Sequence, residues 1–149
     1  MGRIVCEQTS TAPVDAVYAL AKQVEGFPEI MPDVESVEVL SRDGSRTTTR
    51  WVGLVRQLGR RIRWTEQDEW DDERKVCTFD QVEGDYEVYR GVWTFSETDT
   101  GGTLIHLDLE VDINVPLIGA LLRSVVTKLA KQNAEGMLAA LARKAEAAG

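Results

Sequence analysis

Residues 114–146 of the chain read NVPLIGALLRSVVTKLAKQNAEGMLAALARKAE. Apolar side chains recur in this stretch at intervals of three and four residues: Leu117, Ile118, Leu121, Leu122, Val125, Val126, Leu129, Met137, Leu138 and Leu141. That spacing predicts one long amphipathic helix, which begins near Asn114 and has Pro116 in its first turn. A helix of about 30 residues is roughly 45 Å long. It therefore needs an apolar partner surface of similar length.

The strand pattern directly before this helix predicts such a surface. Side chains alternate there with a period of two, with Ile105, Leu107, Leu109, Val111 and Ile113 on one face and His106, Asp108, Glu110 and Asp112 on the other. Strict alternation is typical of an antiparallel strand with one buried and one solvated face. We expect the apolar face of the sheet to receive the helix.

The rest of the chain predicts six further strands and two short helices. A strand over 3–10 is followed by a helix from Pro13 to Gly26 and a helical turn within 27–32. Strands then follow from Val34 to a turn at 42–45, and over 46–57, 60–71, 74–83 and 86–97. This order predicts a single α+β domain over 1–149, in which a curved antiparallel sheet of about seven strands wraps around the long C-terminal helix.

Composition limits the class of protein. The net charge of −8 argues against general nucleic-acid binding. The longest uncharged, mostly apolar run, 115–122, is too short to span a bilayer, and the N-terminus lacks a signal-peptide core, so a cytoplasmic protein is expected. Cys6, Cys77 and the one histidine, His106, have no metal-ligand spacing. We therefore predict two free thiols and neither metal nor cofactor.

Positive charge is concentrated in one segment of this acidic chain. Residues 42–63 contain seven arginines and one acid: Arg42, Arg46, Arg50, Arg56, Arg60, Arg61, Arg63 and Asp43. The expectation is a solvated strand face. A local contact with an anionic partner is the alternative.

Aromatic side chains on the predicted inner face are candidates for a ligand site. The predicted ligand-binding residues of the strands are Trp51, Trp64, Phe79, Tyr89, Trp93 and Leu107. The long helix adds Asn133, which interrupts its apolar stripe, and Met137. Aromatic rings supply apolar area, and Trp and Tyr also carry a polar group for a ligand. Core packing and ligand contact both stay open for these residues, and Gly53 and Gly91 are expected to leave room beside the rings.

Glu66 and Asp68 share the predicted inner face of Trp64 and Trp70. Two inward carboxylates would form an acid/base pair. The expectation is instead that a bulge or edge twist turns both to solvent, and that Trp70 lies at the rim or surface. His106 is expected on the outer face and Cys77 in the core, so no catalytic residue is predicted.

Three short motifs resemble a known superfamily. They are APVDAVY at 12–18, FPEIMP at 27–32 with VEVL at 37–40, and YRGVWTF at 89–95. Their order and spacing, with the closing helix, resemble the START/polyketide cyclase (SRPBCC) superfamily, and within it the coenzyme Q-binding and polyketide cyclase/dehydrase subgroup. The resemblance implies a START-like, helix-grip domain with a cavity between sheet and helix for a lipid, isoprenoid or polyketide-like ligand.

The resemblance leaves three functions open. The first is non-catalytic binding of a hydrophobic small molecule. The second is a polyketide cyclase or dehydratase, although the strand over 60–71 carries acids where aromatase/cyclase relatives use a pocket arginine. The third is a toxin-like protein that contacts ribosomes through the Arg56–Arg63 hairpin. The oligomeric state is left open.

Overall fold

The structure is a computed structural model that describes residues 2–56, 59–113 and 119–148. Strand β1 spans Gly2–Ser10, and helix α1 spans Val14–Lys22 directly after Pro13. A short 3₁₀ turn at Val24–Gly26 leads into helix α2, Phe27–Ile30. Pro13 is the N-cap of α1 and Pro28 lies in the first turn of α2, where the missing N–H of proline has no partner in any case. The two predicted short helices are confirmed.

Across the described residues the strands form one seven-stranded antiparallel sheet in the order β1-β7-β6-β5-β4-β3-β2. The remaining strands are β2 Val34–Asp43, β3 Arg46–Val55, β4 Arg60–Asp71, β5 Val76–Gly84, β6 Val88–Glu97 and β7 Thr103–Asp112. Strands β2 to β7 form a meander, and β1 pairs with β7. The predicted α+β helix-grip fold is therefore confirmed.

The long helix, α3, spans Gly119–Ala148. Its predicted start at Asn114–Pro116, Leu117 and Ile118, and the side chains of Leu121, Leu122 and Val126, lie outside what the structure describes. Leu129, Leu138 and Leu141 are buried, as their spacing predicts, but Val125 is exposed. The apolar spacing therefore predicts the buried side chains of the C-terminal half of α3 but not that of Val125, one turn before Leu129.

The core is packed between β1, β7, α1 and the C-terminal half of α3. Ile4, Ile105, Val111, Val17 and Leu138 are almost completely buried there. Both cysteines are buried free thiols, which confirms that prediction, and burial raises the pKa of Cys6 to about 11. Among the described helices, none is long and apolar enough to cross a membrane.

Candidate functional site

A cavity of about 330 Å³ lies between the inner face of the sheet, α2 and the middle of α3. Each predicted site residue borders it: Trp51, Trp64, Phe79, Tyr89, Trp93, Leu107, Asn133 and Met137. The structure thus brings these residues together around one space. Whether they contact a ligand stays a prediction.

Stacked aromatic rings form one wall of the cavity. Trp51 and Trp64 are opposite each other on β3 and β4, and their rings stack with centroids 5.7 Å apart and planes within 7°. The ring of Tyr89 lies 5.1 Å from that of Trp64, and Phe27 meets Trp51 edge-on at 5.8 Å. Pairs of aromatic residues opposite each other in neighbouring strands stabilise a sheet. This wall is therefore rigid as well as apolar.

Tyr86 belongs to the same wall, and the sequence did not single it out. It lies before β6, with its ring 5.4 Å from Trp64 and 4.6 Å from Tyr89. Gln81 holds its backbone, since the side-chain amide donates to the Tyr86 carbonyl at 2.8 Å and accepts from the Tyr86 N–H at 3.3 Å. Tyr86 lies in the connection between β5 and β6, outside the alternation of either strand.

Trp70 is not at the rim or surface, and that prediction was wrong. The side chain is 9% exposed and borders the cavity. Its ring packs edge-on against Tyr18 at 5.7 Å. The strand end is covered because α1 crosses it there.

Glu66 and Asp68 point into the molecule, which overturns the expectation that they face solvent. They are 5% and 4% exposed, and both border the cavity. A register shift does occur beside them, but it passes from Thr65–Glu83 to Glu66–Gln81, so the extra residue, Val82, belongs to β5. Because the bulge is on the partner strand, β4 keeps its alternation.

Two threonines of β3 explain how Asp68 is accommodated. Thr47 and Thr49 donate to Oδ2 of Asp68 at 3.3 and 2.9 Å. The indole N–H of Trp51 donates to Thr49 at 2.8 Å, and that of Trp70 to Thr47 at 3.4 Å. An indole can only donate, so each threonine hydroxyl accepts from a tryptophan and directs its own proton to Asp68.

Glu66 lies next to Asp68 on the buried face of β4, and the indole N–H of Trp64 donates to its Oε1 at 2.8 Å. Burial in the first place, and then the adjacent Asp68, raise the pKa of Glu66 well above its ordinary value. The raised pKa favours a proton on Glu66, while Asp68 accepts hydrogen bonds from two threonine hydroxyls. The two neighbouring carboxyl groups therefore act as a pair.

The two acids also raise the pKa values of other groups around the cavity. Burial and then the charges of Asp68 and Glu66 raise the pKa of the Cys77 thiol. The pKa of the Tyr89 hydroxyl is raised by burial and by the same two acids, and that of Tyr86 by burial, Asp85 and Glu66. Cys77 is 2% exposed, which agrees with the prediction of a small core residue.

The structure agrees with some of the remaining predictions for the cavity and not with others. Asn133 is half-buried, and its amide has no hydrogen-bond partner within the described part of the chain. Gly53 borders the cavity, as predicted. Gly91 does not leave room for a ligand, because a Cβ there would lie 2.3 Å from the backbone carbonyl oxygen of Asp108 and 2.8 Å from the ring of Phe79. The backbone of β7 and that ring already occupy the space beside Gly91.

The arginine-rich segment lies on the solvated surface, as expected. Its ion pairs are Arg42–Glu25, Arg46–Glu69, Arg50–Glu38, Arg56–Asp33 and Arg61–Glu35, all between side chains that are well exposed. His106 is half-buried beside Asp108 on the outer face. Among the described residues there is no group of three or more His, Cys, Asp or Glu side chains that could hold a metal ion.

Comparisons with known proteins agree with this architecture. Residues 10–138 match the family model described as polyketide cyclase / dehydrase and lipid transport. A Streptomyces cyaneus protein named "Putative polyketide cyclase" is 33% identical over 96 residues, which is 64% of this chain and 63% of that protein. The chain thus spans less than two thirds of this curated relative's length.

Two solved structures show the same fold over nearly the whole chain. The protein TTHA0849 from Thermus thermophilus is 39% identical, with a TM-score of 0.93 and 99% of each chain covered. The ZhuI aromatase/cyclase from a Streptomyces species is 22% identical, with a TM-score of 0.84 over 97% of this chain and 93% of that one. Together with the family match over most of the sequence, these likenesses assign the chain to the polyketide cyclase/dehydrase and lipid transport family.

Proposed function

We propose that the chain binds a hydrophobic small molecule in the cavity between the sheet and α3. The observation that carries this proposal is the unfilled volume of about 330 Å³ behind a wall of stacked aromatic rings. Protein interiors are normally close-packed, and an empty cavity destabilises the fold. Apolar cavities of this size with a few buried polar groups are typical small-molecule sites.

The polar groups of the cavity suggest a ligand that is not purely hydrocarbon. Glu66 and Asp68 lie on β4, while Asn133 borders the same space from α3. Buried polar groups of this kind fix a ligand's orientation, because a ligand that leaves them without partners binds more weakly. The expected ligand has an apolar ring system and at least one group that forms hydrogen bonds.

Native mass spectrometry of the purified chain, with extraction and identification of whatever is retained, tests the proposal. A cavity-filling substitution, Met137→Trp, should abolish retention, whereas Lys128→Trp on the exposed side of the same helix should leave it unchanged. If the wild type retains no apolar molecule and also fails to bind added hydrophobic compounds in the cavity, the proposal is wrong.

A cyclase or dehydratase is the second candidate, and the buried acid pair favours it. Elimination of water from a β-hydroxy ketone needs one proton donated to the leaving hydroxyl and one removed from carbon. Glu66 holds the proton to donate, and a carboxylate of the pair accepts the other, so the pair ends with the single proton it began with. The names of the S. cyaneus relative and of ZhuI support this class of substrate.

The enzymatic proposal is tested with a β-hydroxy ketone that dehydrates to a conjugated, ultraviolet-absorbing enone. Glu66→Gln should abolish turnover and leave substrate binding intact, since glutamine has the same shape but no acid proton. Turnover that survives in Glu66→Gln would exclude Glu66 as the acid. The ribosome-contact hypothesis has less support, because Arg56 and Arg61 already pair with Asp33 and Glu35.

A further inference from the structure

The negative charge of the cavity lacks a basic partner within the described part of the chain. The hydrogen bonds that the two acids accept from described side chains all come from neutral donors: Thr47, Thr49 and Trp64. No described arginine or lysine side chain is buried. Arg143 borders the cavity but is exposed to solvent. Buried charges in proteins are usually paired, so the lack of a basic partner for the Glu66–Asp68 pair needs an explanation.

Hydrogen-bond accounting shows what the acid pair can still offer a ligand. The protons of Thr47, Thr49 and Trp64 are already directed at the two carboxyl groups. Each carboxyl oxygen has two lone pairs. The capacity that remains is mainly for accepting hydrogen bonds, together with the uncompensated charge.

The walls around this charge are aromatic. Trp64 donates to Glu66 and is itself packed against Trp51, Tyr86 and Tyr89. Aromatic rings attract cations through the negative potential of their faces, and the attraction grows when water is excluded. A carboxylate within a group of aromatic rings is a favourable environment for an organic cation.

We infer that the cavity selects hydrophobic ligands that carry a protonated amine, which lies beside Glu66 and Asp68 as the counter-ion that the protein itself does not supply. The inference rests on the proposed binding function and specifies the class of ligand. A neutral ligand would fill the same apolar volume but leave the charge uncompensated. An anionic ligand would meet repulsion in a water-poor site.

The other titratable groups that face the pair do not remove its charge. Cys77 on β5 and the tyrosines Tyr86 and Tyr89 stay neutral, because their pKa values are raised. Asp33, at the border of the cavity, is ion-paired with Arg56. Arg143 on α3 is the one cationic residue of the described lining, and it is solvent-exposed.

Three probes with the same ring system and similar size test the inference. Naphthylmethylamine is cationic at neutral pH, naphthylmethanol is neutral, and the carboxylate of naphthaleneacetic acid (naphthylacetate) is anionic. Isothermal titration should give roughly tenfold or greater preference for the amine over the alcohol, with the acetate weakest. The double variant Glu66→Gln/Asp68→Asn keeps the shape of the pair without its charge. It should bind the amine and the alcohol with equal affinity, while its affinity for the alcohol stays at the wild-type value.

The single variant Glu66→Gln removes the acid proton of Glu66 without changing Asp68. The variant keeps the charge of Asp68 and should still prefer the amine. Equal binding of amine and alcohol by the wild type would overturn the inference and leave the binding function standing. If none of the probes binds, the proposed function fails together with the inference.

Discussion

The two halves of the inner sheet face are built differently. In the packed half, formed by β1 and β7 with α1, aliphatic side chains such as Ile4, Ile105 and Val111 fill the interior against Leu138 of α3. In the open half, formed by β3 to β6 with part of β7 at its border, large rings and the Glu66–Asp68 pair surround the cavity. One sheet and one helix thus form both a tightly packed core and a cavity.

The difference shows how one fold separates stability from recognition. Burial of aliphatic groups stabilises the packed half, since each fully buried leucine or isoleucine contributes about 1.5–3 kcal/mol. The open half buries two acids, whose desolvation opposes folding. The stabilisation from the packed half therefore has to offset the desolvation of these acids and the incomplete packing around the cavity. The predictions below test that division.

Leu138→Ala in the packed half should cause the largest loss, about 2–5 kcal/mol of the free energy of unfolding, because the side chain is completely buried. Met137→Ala, on the neighbouring face of the helix, should lose less than half as much, because Met137 is half-buried and already borders empty space. Urea denaturation with an unchanged m-value measures both. Equal losses would contradict the distinction between the two halves.

Thr49→Val should be the next largest effect, about 1–3 kcal/mol, because it removes a donor from Asp68 and the acceptor of the Trp51 indole. The two side chains have nearly the same shape, so the loss reports hydrogen bonding. Thr48→Val, on the outer face of the same strand, is the matched control and should change stability by about 0.5 kcal/mol or less. A harmless Thr49→Val would mean that the hydroxyl does not stabilise the acid pair.

Glu66 should make stability fall as pH rises. Its folded-state pKa is raised, so the native state keeps a proton that the unfolded chain loses above pH 4.5. The contribution is fully present below that pH and is lost as pH rises through the raised pKa, by at most roughly 1.4 kcal/mol per pH unit. Glu66→Gln should remove this fall in denaturation midpoints measured across pH.

Glu69→Gln is the control for that series. Glu69 lies on the outer face, and hydrogen bonds from Ser45 and Arg46 lower its pKa. A lowered pKa gives the opposite pH dependence of stability, because its stabilising contribution is lost as pH falls. The fall above pH 4.5 should therefore persist in Glu69→Gln. If Glu66→Gln leaves the pH profile of the wild type unchanged, Glu66 is not the protonated member of the pair.

Arg61→Ala should have the smallest effect. The side chain pairs with Glu35 on the solvated face, where the charges are screened by water and salt. Its denaturation midpoint and its affinity for cavity ligands should both match those of the wild type. A loss of ligand affinity in Arg61→Ala would place part of the site on the outer face.

Much of this fold could be predicted because alternation and helical spacing are local properties of a sequence. The inward face of β7 and the succession of β2 to β7 followed from the period of two and from short turns between successive strands, whereas the pairing of β1 with β7 was not predicted. Val125 was misplaced because apolar spacing alone does not show where the helix leaves its partner surface. The start of the helix, around Pro116, lies beyond the described residues, and its prediction stands untested.

The acids of β4 show where sequence reasoning failed. Alternation alone placed Glu66 and Asp68 inside, but the high desolvation penalty of carboxylates favoured an outward position. The compensation comes from Thr47 and Thr49, which the β3–β4 register places beside them. Strand register, hydrogen-bond partners and the volume left between rings are all tertiary properties. A single sequence carries no direct signal of any of them.

Nuclear magnetic resonance of the indole N–H groups tests most directly whether the open half is the ligand site. Naphthylmethanol is titrated into ¹⁵N-labelled protein while the side-chain signals of Trp51 and Trp64 and the backbone amide of Leu138 are followed. We expect saturable shifts of both indole signals and little change at Leu138, which lies in the packed half. Shifts that do not saturate, or that appear at Leu138 and not at the indoles, would contradict a ligand site in the open half.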